Sequence, residues 1–123
     1  MRNIGVFTAR RVATNELVTF LQTIAARDAT RLTTQKGEII IGAGPDLVYI
    51  LEDTALTSEC ADEAVFQDVQ GVLGTAPASY IDLHFTSTSR AFPLADRIAR
   101  ELKQEWHGVI DYSGAGGDLG IPP

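Results

Sequence analysis

The stretch from Tyr80 to Tyr112 constrains the fold more than any other part of the sequence, because its side-chain periodicity changes twice. In the first part Ile81, Leu83 and Phe85 alternate with Tyr80, Asp82, His84 and Thr86, the period-two pattern of a strand with one buried and one polar face. Leu94, Ile98, Leu102 and Trp106 then recur every four residues, with Ala95 and Ala99 beside them, which is one face of a helix. Pro93 suits the first turn, where its missing N–H costs nothing. Asp96–Arg100 and Arg97–Glu101 are spaced to pair on the outer face, and Gly108 stops the helix before Val109-Ile-Asp-Tyr112 returns as a strand. A connection of this length predicts that the second strand runs parallel to the first, with a right-handed crossover.

The remaining elements fit around this unit. Ile4, Val6 and Thr8 alternate with Gly5, Phe7 and Ala9, as expected of an interior strand. Thr14 or Asn15 can cap a helix whose Leu17, Phe20, Leu21, Ile24 and Ala25 share one face. Two β-favouring runs, Thr30–Thr34 and Glu38–Gly42, flank a Gln35-Lys-Gly37 turn. The glycines and proline of Gly42-Ala-Gly-Pro-Asp46 then turn the chain into Leu47-Val-Tyr-Ile-Leu51, whose unbroken apolar character predicts a central strand covered on both faces. Thr57 or Ser58 can cap a second helix, with Val65, Phe66, Val69, Val72 and Leu73 as its stripe and Gly74 as its stop. The expected architecture is an α/β (α+β) layered sandwich, a mixed sheet with three helices in the order β-α-β-β-β-α-β-α-β. Residues 1–113 form one domain, and 114–123 read as a flexible Gly/Pro-rich tail.

Charge is distributed unevenly. Residues 1–36 hold six basic and two acidic side chains, whereas the 53 positions from Gly37 to Ser89 hold no Lys or Arg and nine carboxylates. A one-signed surface of this kind repels nucleic acid and draws a basic partner. Glu59, Asp62 and Glu63 also suit the first turn of the second helix, where the exposed N–H groups favour negative charge. The apolar patch at the N-terminus is interrupted by Arg10 and Arg11, too soon for a secretory segment, and no run is long enough to span a bilayer; the expectation is a cytoplasmic protein without membrane association. A single cysteine, Cys60, excludes an internal disulfide and a multi-cysteine zinc site.

Catalytic motifs are sparse. The run Gly114-Ala-Gly-Gly-Asp-Leu-Gly120 follows a strand, yet no helix stands behind it to present N–H groups to a phosphate. Cys60 has carboxylates on either side that oppose a thiolate. His84 shares a strand face with Asp82, and Ser87 and Ser89 follow, which allows an acid–base pair to be drawn beside a hydroxyl. His107 falls at a helix C-terminus, where a cation is favoured without catalysis. No histidine spacing suits a transition metal, no calcium-loop pattern occurs, and no cofactor is implied.

The segment from Asp62 through Val72-Leu-Gly-Thr-Ala-Pro77 to His84, followed by Leu94-Ala-Asp-Arg-Ile-Ala99 and Glu105-Trp-His-Gly-Val-Ile-Asp111, resembles small acidic bacterial immunity proteins of polymorphic and contact-dependent toxin systems. The resemblance covers the C-terminal half. It implies a non-enzymatic inhibitor that binds a co-encoded toxin and blocks its active site or the path of its substrate. No catalytic set carries over. The candidate contact residues, drawn from the acidic run, are Glu52, Asp53, Glu59, Asp62, Glu63 and Asp68, facing a toxin with a basic cleft. The alternative is a small enzyme or ligand-binding domain that uses the polar strand face around Tyr80, Asp82 and His84.

Overall fold

A computed structural model describes residues 2–53, 64–88 and 90–123. The described elements are β1 (Arg2–Thr8), α1 (Thr14–Arg27), β2 (Arg31–Gln35), β3 (Glu38–Ala43), β4 (Asp46–Glu52), α2 (Ala64–Leu73), β5 (Ser79–Phe85), α3 (Ala91–Trp106), β6 (Gly108–Asp111) and a 3-10 turn (Ser113–Ala115). This is the α+β order read from the periodicities. The strands form one six-stranded sheet ordered β2-β3-β4-β5-β1-β6, and every neighbouring pair is antiparallel.

The strands β5 and β6 run in the same direction, as the intervening helix requires. They are not neighbours, because β1 lies between them and pairs antiparallel with both. An interior β1 follows from its pattern, since Ile4 and Val6 are buried on one face and Phe7 on the other. The tight hairpins reflect local chemistry. Lys36 and Gly37 adopt φ of 50° and 80° between β2 and β3, and Gly44 adopts φ of 61° ahead of Pro45 between β3 and β4, the positive-φ geometry that suits the twist of two-residue hairpins.

One face of the sheet packs against α1 and α3. Ile4 and Val6, Ile39 and Ile41, Val48 and Ile50, and Ile81, Leu83 and Phe85 meet Leu17, Leu21, Ile24, Ile98 and Leu102 there, all essentially inaccessible to water. Burial of side chains of this size supplies roughly 1.5–3 kcal/mol each before the entropy of ordering is set against it. The second face carries a smaller cluster in which Phe66 and Val69 of α2 cover Phe7, Tyr80 and Val109. Phe7 meets Phe66 edge-on at 5.1 Å and lies 4.6 Å from the Tyr80 ring.

Several local expectations change. In β4, Val48 and Ile50 are buried but Leu47 and Tyr49 are half-buried and Leu51 is 41% exposed, so the continuous apolar run is covered fully on only one face. Neither Thr14 nor Asn15 caps α1: the N-cap is Ala13, without a side-chain bond. The caps proposed for the second helix, Thr57 and Ser58, lie outside the described residues. On α3, Asp96 pairs with Arg100 at 3.0 Å as its spacing predicts. Arg97 and Glu101 instead reach across to α1, Arg97 to Asp28 at 2.7 Å and Glu101 to Arg27 through two bonds of 2.7 Å. The end of the facing helix supplies both partners.

The expected flexible tail is a folded hook. The Tyr112 N–H donates to the Asp118 carbonyl at 3.1 Å and the Gly120 N–H to the Ile110 carbonyl at 2.6 Å, while Asp111 bridges antiparallel to Leu119. Ala115 is buried, and its carbonyl accepts a bond from the Arg2 guanidinium. Glycines here allow close approach: a methyl group on Gly114 would land on Asn3.

Candidate functional site

The second sheet face, beyond the patch covered by α2, is where polar and half-exposed apolar side chains meet. Strand register determines its composition. Asn3 lies opposite His84 and Gly5 opposite Asp82, and on its other side Gly5 faces Asp111. Across β4, Tyr49 lies opposite His84 and Leu51 opposite Asp82, and Ile40 lies opposite Tyr49 on β3. The face therefore has a half-exposed apolar centre of Ile40, Leu47, Tyr49 and Leu51, with the Asp82 carboxylate on the adjoining strand and Asp111 two strands beyond it.

Asp82 is the hub. Its Oδ2 lies 2.7 Å from His84 Nε2, and its Oδ1 accepts a bond from Asn3 Nδ2 at 3.2 Å. The strand reading placed Asp82 and His84 on one face, and the structure joins them directly. Tyr80 completes the group. Its ring lies over Gly5, where any larger residue would collide with it. Burial pushes the Tyr80 phenol well above its ordinary range, and the negative fields of Asp82, Asp111 and Asp53 add to that shift. The phenol thus stays protonated as a donor and serves poorly as a base.

This cluster has parts of an acid–base device but not a reaction centre. Asp82 orients the imidazole through Nε2, leaving Nδ1 as the other polar atom of a side chain that is 44% exposed. Ser87 is exposed in the bend after β5, and Ser89 lies outside the described residues. The substantial cavities are elsewhere. One of about 690 Å³ lies where α2 and α3 end, with Val72 and Leu73 on one wall and Arg100, Lys103 and His107 on another. Lys103 sits in the last turn of α3, where the helix dipole favours positive charge, and His107 is the left-handed C-cap with φ of 51°. A second, of about 510 Å³, separates the start of α1 from the β2–β3 hairpin. Among the described residues no three His, Cys, Asp or Glu side chains gather as a metal site, and no helix is long and apolar enough to cross a membrane.

The sequence-derived contact residues divide as follows. Glu52 ends β4 and, by alternation with Val48 and Ile50, points toward the helix-covered face; both Glu52 and Asp53 are half-buried. The Asp53 N–H donates to the Tyr80 carbonyl at 2.8 Å, and the Asp53 charge is felt at the Tyr80 phenol. Asp68 is exposed on α2. Glu59, Asp62 and Glu63, together with Cys60, lie outside the described residues. Asn3, Gly5, Tyr49, Leu51 and Asp111 join the face without having been singled out, because only strand pairing brings them to Asp82.

Charge on this face is segregated by topology. β3, β4 and β5 all come from the stretch without Lys or Arg and are neighbours in the sheet. β1 and β6 then contribute Asn3, Gly5, Phe7, Val109 and Asp111. Arg2, by alternation, turns to the other face, over the Phe85 and Phe92 rings. From β3 to β6 the described strands place no Lys or Arg on the second face, and Arg31 appears only on the edge strand β2. Searches against family models, curated proteins and solved structures find no match for the chain.

Proposed function

We propose that the protein is an immunity-type inhibitor that binds a basic protein toxin and occludes its active site or the path of its substrate. The observation that carries this reading is the sheet face from β3 to β6, where the described strands place no Lys or Arg and Tyr49 and Leu51 supply apolar contact next to Asp82 and Asp53, with Asp111 two strands beyond Asp82. An aromatic group with carboxylates on its β5 side suits a partner of opposite charge, with the apolar groups holding the complex and the carboxylates steering encounter. Asp68 extends the negative field onto α2, and the sequence between Asp53 and α2 adds Glu59, Asp62 and Glu63. The resemblance of the C-terminal half to immunity proteins gives the partner its class.

The test is co-expression with the toxin domain encoded beside this protein, read as growth protection and as co-purification. A variant combining Leu51→Lys, Asp53→Lys and Asp68→Lys should keep its fold by circular dichroism yet lose protection. Its association should slow by roughly 10- to 100-fold at low salt, with a smaller difference at high salt. Undiminished protection by that variant sinks the surface assignment, and the absence of any toxic neighbour that co-purifies sinks the function.

The hydrogen-bonded Asp82–His84 pair supports a second reading, a small hydrolytic or ligand-binding site on the same face. Under that reading a folded His84→Ala variant loses turnover or ligand binding, whereas under the inhibitor reading it retains protection.

A further inference from the structure

The two edges of the sheet are treated differently. On the outer side of β6, the hook takes up backbone groups through the Gly120 N–H to Ile110 carbonyl bond and the Asp111–Leu119 bridge. On the outer side of β2 no strand pairs among the described residues. An open edge presents unpaired N–H and C=O groups, and natural proteins usually blunt such an edge with proline, a bulge or a central charge. The middle of β2, Leu32-Thr33-Thr34, has no proline or charge.

From these features we infer that β2 pairs with β2 of a second copy across a two-fold axis at Thr33, joining two sheets into one of twelve strands. The phase of the hairpin sets this register. The two-residue turn at Lys36 and Gly37 makes Gln35 and Glu38 the hydrogen-bonded pair that closes the loop. Alternation then makes Thr33–Ile40 and Arg31–Gly42 the other bonded pairs with β3, so Leu32 and Thr34 direct their N–H and C=O groups outward. Antiparallel pairing about Thr33 sets Leu32 against Thr34 of the second copy, and Thr34 against its Leu32. All four outward N–H groups of the two strands then find carbonyl partners.

Charge fits the same register. Arg31 faces Gln35 of the second copy instead of its own equivalent, and the two Arg31 residues stand about 14 Å apart, beyond the screening length of about 8 Å at physiological salt. On the face that holds Arg31, Thr33 and Gln35, the next strand presents Glu38 beside Gln35. Arg31 of one copy therefore lies two strand spacings, about 10 Å between Cα atoms, from Glu38 of the other, within the combined reach of the two side chains. Neither Arg31 nor Glu38 takes part in an ion pair found within the chain among the described residues. On the opposite face Leu32 packs against the core beneath α1, and Thr34 lines the 510 Å³ cavity beside it, so a second copy would extend that layer.

A contact of five residues a side is smaller than the roughly 800 Å² per partner of a standard interface, so the dimer forms at high concentration and dissociates on dilution. Sedimentation equilibrium from about 10 μM to about 1 mM should show a monomer–dimer equilibrium, and the Leu32 and Thr34 amides should exchange more slowly as dimer accumulates. Thr34→Pro removes an outward N–H without touching the β2–β3 bonds and should give a monomer at every concentration. Arg31→Glu should weaken association by at least about tenfold, and Arg31→Glu combined with Glu38→Arg should restore it. A wild-type monomer throughout, protection confined to other amides, or a dimer indifferent to both Thr34→Pro and Arg31→Glu would each overturn the inference. So would an edge that gains protection only on mixing with a different protein.

Discussion

Replacing Gly5 by Ala tests how the acidic face is held together. A Cβ at this position would lie 2.5 Å from both Cε2 and the hydroxyl oxygen of Tyr80, and 2.8 Å from Cζ. Ordinary contact needs about 3.4 Å or more, so the ring must retreat by about 1 Å, into contacts already made with Phe7 at 4.6 Å and through it with Phe66. Overpacking of this kind costs about 1–3 kcal/mol, and partial loss of the aromatic pairs adds about 0.5–1.5 kcal/mol. Gly5 has no positive φ, so the alanine also restricts the unfolded chain and returns about 0.4–1 kcal/mol. The net expectation is a loss of about 2 kcal/mol, or roughly 8 °C in Tm for a domain of this size. Urea denaturation of Gly5→Ala, Tyr80→Ala and the double variant decides the matter. With the ring absent, the collision vanishes and only the unfolded-state term remains, so Gly5→Ala should stabilise the Tyr80→Ala protein by about 0.5 kcal/mol. The same destabilisation in both backgrounds would refute the assignment of Gly5 as the seat of the Tyr80 ring.

Three other perturbations probe the hook and the buried phenols. Gly114→Ala drives a methyl group into Asn3, so the hook should detach, seen as faster exchange of the Tyr112 and Gly120 amides and earlier proteolysis near the C-terminus, while Ile50 and Leu83 on the core strands stay protected. Tyr112→Phe deletes a 2.6 Å bond to the Asp96 carboxylate and should cost about 1.5–3 kcal/mol near neutral pH. Burial, then that bond to Asp96, raises the Tyr112 phenol above its ordinary range, and Tyr80 is raised as well. The folded state holds these protons more tightly than the unfolded one, so their contribution is complete below pH about 10 and falls as pH climbs further; denaturation curves should show that loss, with a shallower decline in Tyr112→Phe.

The sequence made the elements legible wherever a single periodicity held for five or more residues. The alternation of β5 told which side chains share a face, and the structure keeps that division, down to the contact between Asp82 and His84. What local pattern could not supply was the neighbour of each strand. β1 separates β5 from β6, and this insertion brings Asn3, Gly5 and Asp111 to the cluster. The apolar run of β4 misled for a related reason: hydrophobicity cannot say what covers each face, and Leu51 remains 41% exposed. Glycines in the tail suggested freedom, yet Gly114 is small because Asn3 is close. The cross-helix partners of Arg97 and Glu101 were hidden likewise, since an i,i+4 rule counts only one helix.

The hook and the acidic face are linked through the first residues of β1. Arg2 and Asn3 point to opposite faces, so the pairing of Arg2 with Phe85 decides that the cation joins the Phe85 and Phe92 rings while Asn3 bonds Asp82. A slip of one residue would exchange them and set a guanidinium beside Asp82 and Tyr49. Two features oppose that slip. Gly5 must lie beneath the Tyr80 ring, and the hook grips the strand from both sides, with Ala115 accepting from Arg2 and Gly114 close against Asn3. The negative character of the face thus depends on a register that the C-terminal residues help to fix, although they contribute no side chain to its apolar centre.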